Sequence, residues 1–272
     1  MDTRVSDLAA LRGFVDRHPR LFVLTGAGVS TDSGIPDYRD TEGEWKRKPP
    51  MTLQTFMGGE LARARYWARS MVGWRRFGHV QPNASHRALA RLESRGRVSV
   101  LVTQNVDGLH EAAGSRDVVD LHGRLDEVRC MACDWRGGRQ AWQEALQDGN
   151  PEWTLLDATD APDGDADLEG EDFAQFQVPP CPRCRGIVKP DVVFFGETVP
   201  RERVDRANAG LMNADAVLVV GSSLMVYSGY RFVSAASRNG MPLAAINLGR
   251  TRADSMLTLK VELPCAVALD AL

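Results

Sequence analysis

The chain of 272 residues predicts an α/β protein: a doubly wound, Rossmann-like parallel sheet carrying a smaller inserted module, part zinc ribbon and part helical. Three observations predict it. Short apolar runs alternate with helical patterns, the order that builds a parallel sheet. The first of these runs ends in a glycine turn. Two Cys-x-x-Cys pairs then lie in a stretch that breaks the alternation.

Arg20–Leu24 (RLFVL) passes directly into Thr25-Gly26-Ala27-Gly28, as a buried strand entering a tight turn does. Comparable runs lie at Val98–Val102, Val118–Leu121, Val192–Phe195, Ala216–Val220 and Leu243–Ile246. Helical patterns separate many of them. The N-terminal segment reads as an amphipathic helix with Leu8, Leu11, Phe14 and Val15 on one face. Pro82-Asn83-Ala84-Ser85 introduces a helix ending near Gly96, and Arg201–Asn213 and Ser228–Arg238 supply two more. Residues 45–78 are rich in Arg, Trp and Met, with helical spacing and no strand signal. Residues 126–188 hold both Cys pairs and an acidic stretch, Asp157–Asp172, too poor in apolar residues to pack and expected to be a mobile loop. The division expected is a Rossmann-like core from 1–44, 79–125 and 189–272, with 45–78 and 126–188 forming the small domain.

A net charge of -3 and a pI of about 6.0 argue against a protein that grips a nucleic-acid backbone. Arg63, Arg65, Arg69, Arg75 and Arg76 read as a solvated helix face. No stretch approaches the roughly 20 apolar residues of a membrane span, and the first residues lack the apolar centre of a signal peptide. Five cysteines, four of them in Cys-x-x-Cys pairs, suit a reducing compartment, so a cytoplasmic protein is expected.

Cys130, Cys133, Cys181 and Cys184 suit one structural, tetrahedral zinc ion, with all four ligand places filled by thiolate. The gap between the pairs exceeds ribbon spacing, and the acidic stretch accounts for it. A redox pair is the weaker reading, because both pairs lie outside the α/β core. The acidic surroundings argue against nucleic acid at this ribbon.

The glycine turn places small residues where backbone N–H groups can approach a pyrophosphate. It departs from Gly-x-Gly-x-x-Gly, because the third glycine is Gly34, so that pattern alone supports nucleotide binding only weakly. Thr103-Gln104-Asn105-Val106-Asp107-Gly108 follows the second strand and offers amides and a carboxylate at a ligand-facing end. Asn105 or Asp107 as a helix N-cap is the plainer reading. Leu121-His122-Gly123 ends the next strand. A lone histidine is more often structural than catalytic, but its place at a strand end makes His122 a candidate base. His110, inside a helix, is expected to be structural.

Taken together, GAGVSTDSGIPDYR, TQNVDGLHEAAG, LHG and PNASH closely resemble the sirtuins from about residue 20 to the C-terminus. PDYRD, RYWAR and QNVDGLH are most similar to the class II branch, which includes a mitochondrial member. The resemblance implies NAD⁺ as co-substrate, bound by Gly26, Ala27, Gly28, Ser30, Pro36, Asp37, Tyr38 and Arg39. It implies that Gln104 and Asn105 contact the nicotinamide ribose and that Val106 and Asp107 hold the carboxamide. Gly221, Ser222, Ser223, Asn247, Leu248 and Gly249 fall at its ribose and adenine contacts, and Cys265 near its adenine pocket.

The implied activity is removal of an acyl group from protein lysine. The acyl oxygen attacks the ribose carbon bearing nicotinamide, which leaves, giving an imidate that water later resolves. His122, as general base, then takes a proton from a ribose hydroxyl, which attacks that imidate. Lysine and O-acyl-ADP-ribose result, with Asn105 positioning the ribose. The acyl-lysine peptide is expected as an added strand between Val193-Phe194-Phe195-Gly196-Glu197 and Leu224-Met225-Val226. After Val226 this chain has Tyr227-Ser228 where many relatives have a proline. Tyr66 and Arg69 resemble a Tyr-x-x-Arg pair that reads acidic acyl groups in one branch, although RYWARSM differs around it. Two other readings stand beside deacylation: mono-ADP-ribosyl transfer from the same NAD⁺ site, and a non-catalytic NAD⁺-sensing scaffold, against which His122 and Asn105 both argue. The strings set neither the acyl group nor the oligomeric state.

Overall fold

The computed structural model describes residues 3–46, 50–156, 159–160, 166–168 and 170–272, with backbone alone for residues 3, 159, 160, 166 and 167. Numbered along the chain, strands β1 (Leu21–Thr25), β2 (Val98–Thr103), β3 (Val118–Asp120), β9 (Ala216–Val220), β10 (Leu243–Ile246) and β11 (Leu259–Val261) form one parallel sheet. Its order is β11-β10-β9-β1-β2-β3. Leu24 lies opposite Val102 on one side and Val219 on the other. The chain builds outward from β1 in one direction and later returns to build outward in the other. The reversal falls between β1 and β9, where open α/β sheets leave a crevice at the strand C-termini.

Both faces of the sheet are covered, which explains strands that read as unbroken apolar runs. Leu21, Val23, Leu101, Leu218 and Ala244 face α1 (Thr3–Arg17), α4 (Ala84–Ser94) and α9 (Cys265–Asp270), through Leu11, Phe14, Leu89 and Ala268. The intervening Phe22, Leu24, Val100, Val219 and Ala245 face α7 (Arg201–Met212) and α8 (Tyr227–Arg238). Asn83 starts α4 with a reciprocal cap. Its side chain accepts from the N–H of Ser85 and of His86, and the His86 ring accepts from the Asn83 N–H.

A second sheet is antiparallel: β4 (Gly123–Cys130) lies between β5 (Arg136–Gly138) and β8 (Val188–Val192). With it pack α2 (Leu53–Gly58), α3 (Glu60–Phe77) and α6 (Arg139–Gly149) around Phe56, Trp67, Trp142, Trp153 and Phe176. The short α5 (Leu109–Ala112) follows the Gln104–Asp107 loop. β6 (Thr159–Asp160) and β7 (Ala166–Asp167) pair within the acidic stretch; 157–158, 161–165 and 169 of that expected mobile loop lie outside the described residues. The expected boundaries at 125/126 and 188/189 fall inside β4 and β8.

One expected strand is corrected. Val192–Phe195 does not join the parallel sheet; its strand begins at Val188, runs antiparallel to β4 and ends at Val192. The charges of Lys189 and Asp191 concealed it. Both side chains are buried because each has partners: Lys189 pairs with Glu197 at 3.2 Å, and Asp191 with Arg203 at 3.3 Å and Arg136. Leu259–Val261, one of the sheet's two edge strands, also escaped the apolar-run reading because Lys260 interrupts it.

Candidate active site and zinc centre

The two turns at the sheet's reversal interlock. Gly28 N–H donates to Gly221 O at 2.9 Å, and a Cβ on Gly221 would lie 2.5 Å from the Val29 nitrogen. Gly221 also adopts φ +59, in the left-handed region that favours glycine. Above them opens a cleft of about 1340 Å³. It is lined by residues from every expected binding segment: Ala27, Gly28 and Ser30; Asp37, Tyr38 and Arg39; Gln104–Asp107 with His122; Gly221–Ser223; Asn247–Gly249; and Cys265. Val193–Glu197 and Leu224–Val226 line it too, as do Tyr66 and Arg69. Gly26 and Pro36 are not on its wall. Gly26 lies beneath it, donating to Val220 O at 3.2 Å and packed against Ser222.

A polar network ties the loops together. Asn105 Nδ2 donates to Gly26 O at 3.1 Å and to Ser30 Oγ at 3.0 Å. Ser30 Oγ donates to Asp107 Oδ2 at 2.7 Å, and Leu109 N–H donates to Asp107 Oδ1 at 3.0 Å. Burial raises the Asp107 pKa, and these two donors oppose it. The N-cap of α5 is Gly108 and not Asn105 or Asp107; Asp107 accepts from the helix's first N–H with one oxygen, while the other joins the first loop. Gln104 Nε2 donates to Thr25 O at 3.2 Å and to Ser222 Oγ at 2.8 Å. His110 Nε2 lies 2.9 Å from Thr25 Oγ1 and packs against His86, beneath the site.

His122 has a defined tautomer. Gln104 O can only accept, so Nδ1–H donates to it at 2.9 Å. Nε2 is then the lone-pair nitrogen, and Ser228 Oγ–H donates to it at 2.7 Å. Burial lowers the ring's pKa to about 4; the Gln104 bond acts against this, and Arg203 and Arg231 add to it. The imidazole is therefore neutral near pH 7 and able to take a proton.

The first loop and the 193–197 segment meet through rings. The Arg39 guanidinium lies 4.0 Å from the centroid of Trp45, which packs edge-on against Tyr38 and Phe195. Tyr66 is buried against Phe56 and Phe194, while Trp67 packs inward and donates to Val188 O at 3.2 Å. Glu197, held by Lys189, accepts from Phe194 N–H at 3.0 Å and so bends the 193–197 edge. On the facing edge Leu224 has φ 58, a left-handed conformation that costs a non-glycine residue about 1 kcal/mol or more. Its N–H donates to Ser222 Oγ at 3.2 Å. Cys265 begins α9 at the cleft wall, and burial pushes its thiol pKa up to about 12.

Sequence reasoning missed Trp45, Arg65 and Ser228, all of which line the cleft. Trp45 carries no motif, and Arg65 opens the RYWAR string but was read only as part of a solvated helix face. Ser228 had a signal, as the polar residue after Val226 where proline is commoner, but its meaning lay in a histidine 106 residues away.

At the far end of β4 the four thiols converge, with every Sγ within 4.8 Å of the others. Ala132 N–H donates to Cys130 Sγ at 3.3 Å. A Cβ on Gly186 would lie 3.2 Å from Cys184 Sγ and 3.3 Å from Cys130 Sγ, so the knuckle closes only over glycine. Four sulfur donors in this space, without a fifth ligand position, fit one structural zinc ion.

The Sir2 family model matches residues 26–228. An NAD-dependent protein deacetylase of Bordetella bronchiseptica is 73% identical over 265 residues, covering 97% of each chain. Another, of Xanthomonas axonopodis pv. citri, is 65% identical over 263 residues, or 97% of this chain and 90% of the relative. Among solved structures, a complex of Sir2 with p53 peptide and NAD⁺ superposes with a TM-score of 0.76 at 27% identity, covering 97% of this chain and 95% of the other. Sir2 bound to acetylated peptide gives 0.75 at 27% identity, with the same coverage.

Proposed function

Because this chain belongs to the Sir2 family, we infer that it is an NAD-dependent protein lysine deacylase, converting NAD⁺, acyl-lysine and water to nicotinamide, lysine and O-acyl-ADP-ribose. One observation carries the reading. A neutral imidazole, His122, faces the same cleft as the glycine turn and the Gln104–Asp107 loop.

In this reading the interlocked turns at Gly28 and Gly221 receive the pyrophosphate at the sheet's reversal. Asn105 fixes the ribose through its anchor on Ser30, and Val106 and Asp107 take the carboxamide. Ser223, Asn247, Leu248 and Gly249 line the ribose and adenine side, with Cys265 beyond them. The Tyr38–Trp45 pair covers the reacting carbon and keeps water away. His122 Nε2 takes the proton of a ribose hydroxyl, which attacks the imidate carbon left when nicotinamide departs.

The peptide enters between 193–197 and 224–226 as a strand shared by two edges. Solved Sir2 structures that hold acetylated or p53 peptide support a peptide substrate. Tyr66 and Arg69 form the wall toward which the acyl chain points, so an acidic acyl group belongs in any panel. Zinc holds the knuckle and takes no part in the chemistry. Four metal-binding thiolates suit the reducing cytoplasm. Among the described residues no helix is long and apolar enough to cross a membrane.

The test is incubation of the zinc-loaded protein with NAD⁺ and peptides carrying acetyl-, longer-chain or succinyl-lysine, read by mass spectrometry. Nicotinamide and O-acyl-ADP-ribose are expected in equal amounts with at least one acyl chain. No nicotinamide release with any of them, from folded protein, overturns the reading. Label from NAD⁺ retained on protein in place of O-acyl-ADP-ribose turns it to mono-ADP-ribosyl transfer.

A further inference from the structure

The base has a partner that the reaction as written does not use. His122 Nε2, the nitrogen that faces the cleft, meets Ser228 Oγ at 2.7 Å. Ser228 lies in the first turn of α8, itself on the cleft wall. The contact is held in place from both sides. Gln104 O takes Nδ1–H of the ring, and the Gln104 side chain packs against the same turn of α8. A Cβ on Gly229 would lie 2.5 Å from Gln104 Oε1, so glycine there lets the turn close on Gln104 and brings Ser228 to the imidazole.

A hydroxyl both donates and accepts. Toward the neutral ring, Ser228 donates to the Nε2 lone pair. When Nε2 takes the ribose proton, the ribose oxygen leaves to bond the imidate carbon, and the new N–H needs an acceptor inside a buried site. Rotation about one C–O bond swings the Ser228 proton off the single Nε2 lone pair as the ribose proton arrives and leaves Oγ as that acceptor, with no atom exchanged and no proton lost.

We propose that Ser228 is the positioning residue of the catalytic base, holding Nε2 in the cleft before proton transfer and accepting its N–H afterwards. This rests on the deacylase reading above. Ser228 then serves only the half-reaction that needs His122. Cleavage of nicotinamide, and its reversal by added nicotinamide, precede proton transfer and do not need it.

The experiment compares wild type, Ser228→Ala and Ser228→Thr with NAD⁺ and the best acyl peptide from the panel. Deacylation turnover and exchange of labelled nicotinamide into NAD⁺ are measured side by side. Ser228→Ala is expected to lower deacylation kcat about tenfold to a hundredfold, the range for a bond to a charged group, with exchange and the KM for NAD⁺ unchanged. Ser228→Thr, which keeps the hydroxyl, restores most of the turnover. In wild type near pH 7, the ¹⁵N resonance of His122 Nε2 is expected upfield of a free lone-pair nitrogen, and Ser228→Ala removes that displacement. Equal kcat in Ser228→Ala overturns the proposal, as does exchange falling in step with deacylation. A wild-type Nε2 resonance at the free position overturns it whatever the variants do. Wild type that neither exchanges nor deacylates takes down the deacylase reading first and this proposal with it.

Discussion

Asn105 and Ser30 stand 75 residues apart in sequence and meet at 3.0 Å, the amide of one donating to the hydroxyl of the other. Ser30 passes the connection on to Asp107 at 2.7 Å. One hydroxyl thus orients the Asn105 amide and satisfies the Asp107 carboxylate. Ser30→Ala leaves both without this partner in a site shielded from water, a loss of about 1.5–3 kcal/mol for the bond to the carboxylate. The expected result is roughly a tenfold to hundredfold fall in kcat/KM for NAD⁺, with the melting temperature lowered by about 3–10 °C. Steady-state kinetics alongside a thermal melt check it.

With His122 as the proposed base, its low pKa is expected to set the acid limb of the pH–rate profile. Its pKa of about 4 means that the ring stays neutral until the pH approaches that value. The rate in kcat/KM against pH is expected to hold down to about pH 5 and fall below it, with no break near the ordinary histidine value of about 6.5. His122→Ala is expected to lower deacylation by a factor of roughly 10²–10⁴ while nicotinamide exchange persists. A pH–rate profile with a break at 6.5 in the free enzyme contradicts the burial argument.

Acid stability follows from the same buried groups. His86, His110 and His122 are lowered to about 4, 3 and 4, chiefly by burial. Between about pH 4.5 and 6 the unfolded chain therefore binds three protons on them that the folded chain does not. Asp120 is raised to about 8 and Asp107 is also raised, both by burial first, so the folded chain holds one or two protons that the unfolded chain lacks. The net is one to two protons in favour of the unfolded state, so stability rises with pH in this window. The slope is about 1.4–2.7 kcal/mol per pH unit. Urea unfolding of the zinc-loaded protein at pH 5 and pH 6 tests it; loss of zinc on unfolding puts up to about four more protons on the released thiols, which steepens the slope in the same direction and makes the figure above its lower bound, and a flat or reversed slope contradicts it.

Removing one zinc ligand is expected to act locally. Cys184→Ala leaves three sulfurs and is predicted to reduce bound zinc from one ion per chain to a substoichiometric level. Amide exchange then accelerates in β4, β5 and β8, while β1, β2 and β9 keep their protection, because their core does not touch the knuckle. Metal analysis with exchange mass spectrometry distinguishes this from global unfolding.

The parallel sheet was legible because strands buried on both faces must be apolar at every position, as in Phe22–Leu24 and Val217–Val219. The glycine turns were legible because only glycine fits where Gly28 meets Gly221. β8 was not, because its charges are neutralised by Glu197, Arg203 and Arg136, partners that a one-dimensional reading does not place beside it. Trp45 escaped for a related reason: its work is to join Arg39, Tyr38 and Phe195, a contact with no spacing of its own.

By itself the sequence determined which chemistry is present: the four thiolates, the loop amides and carboxylate, the histidine, and the strand ends that carry them. Periodicity and residue type are local properties, and they survive in one dimension. Only the tertiary structure decided which nitrogen of His122 carries the lone pair and what holds it. That depends on a carbonyl 18 residues away and a hydroxyl 106 residues away arriving on opposite sides of one ring. The parallel sheet and the start of α8 bring them there, and no pattern along the chain records that distance.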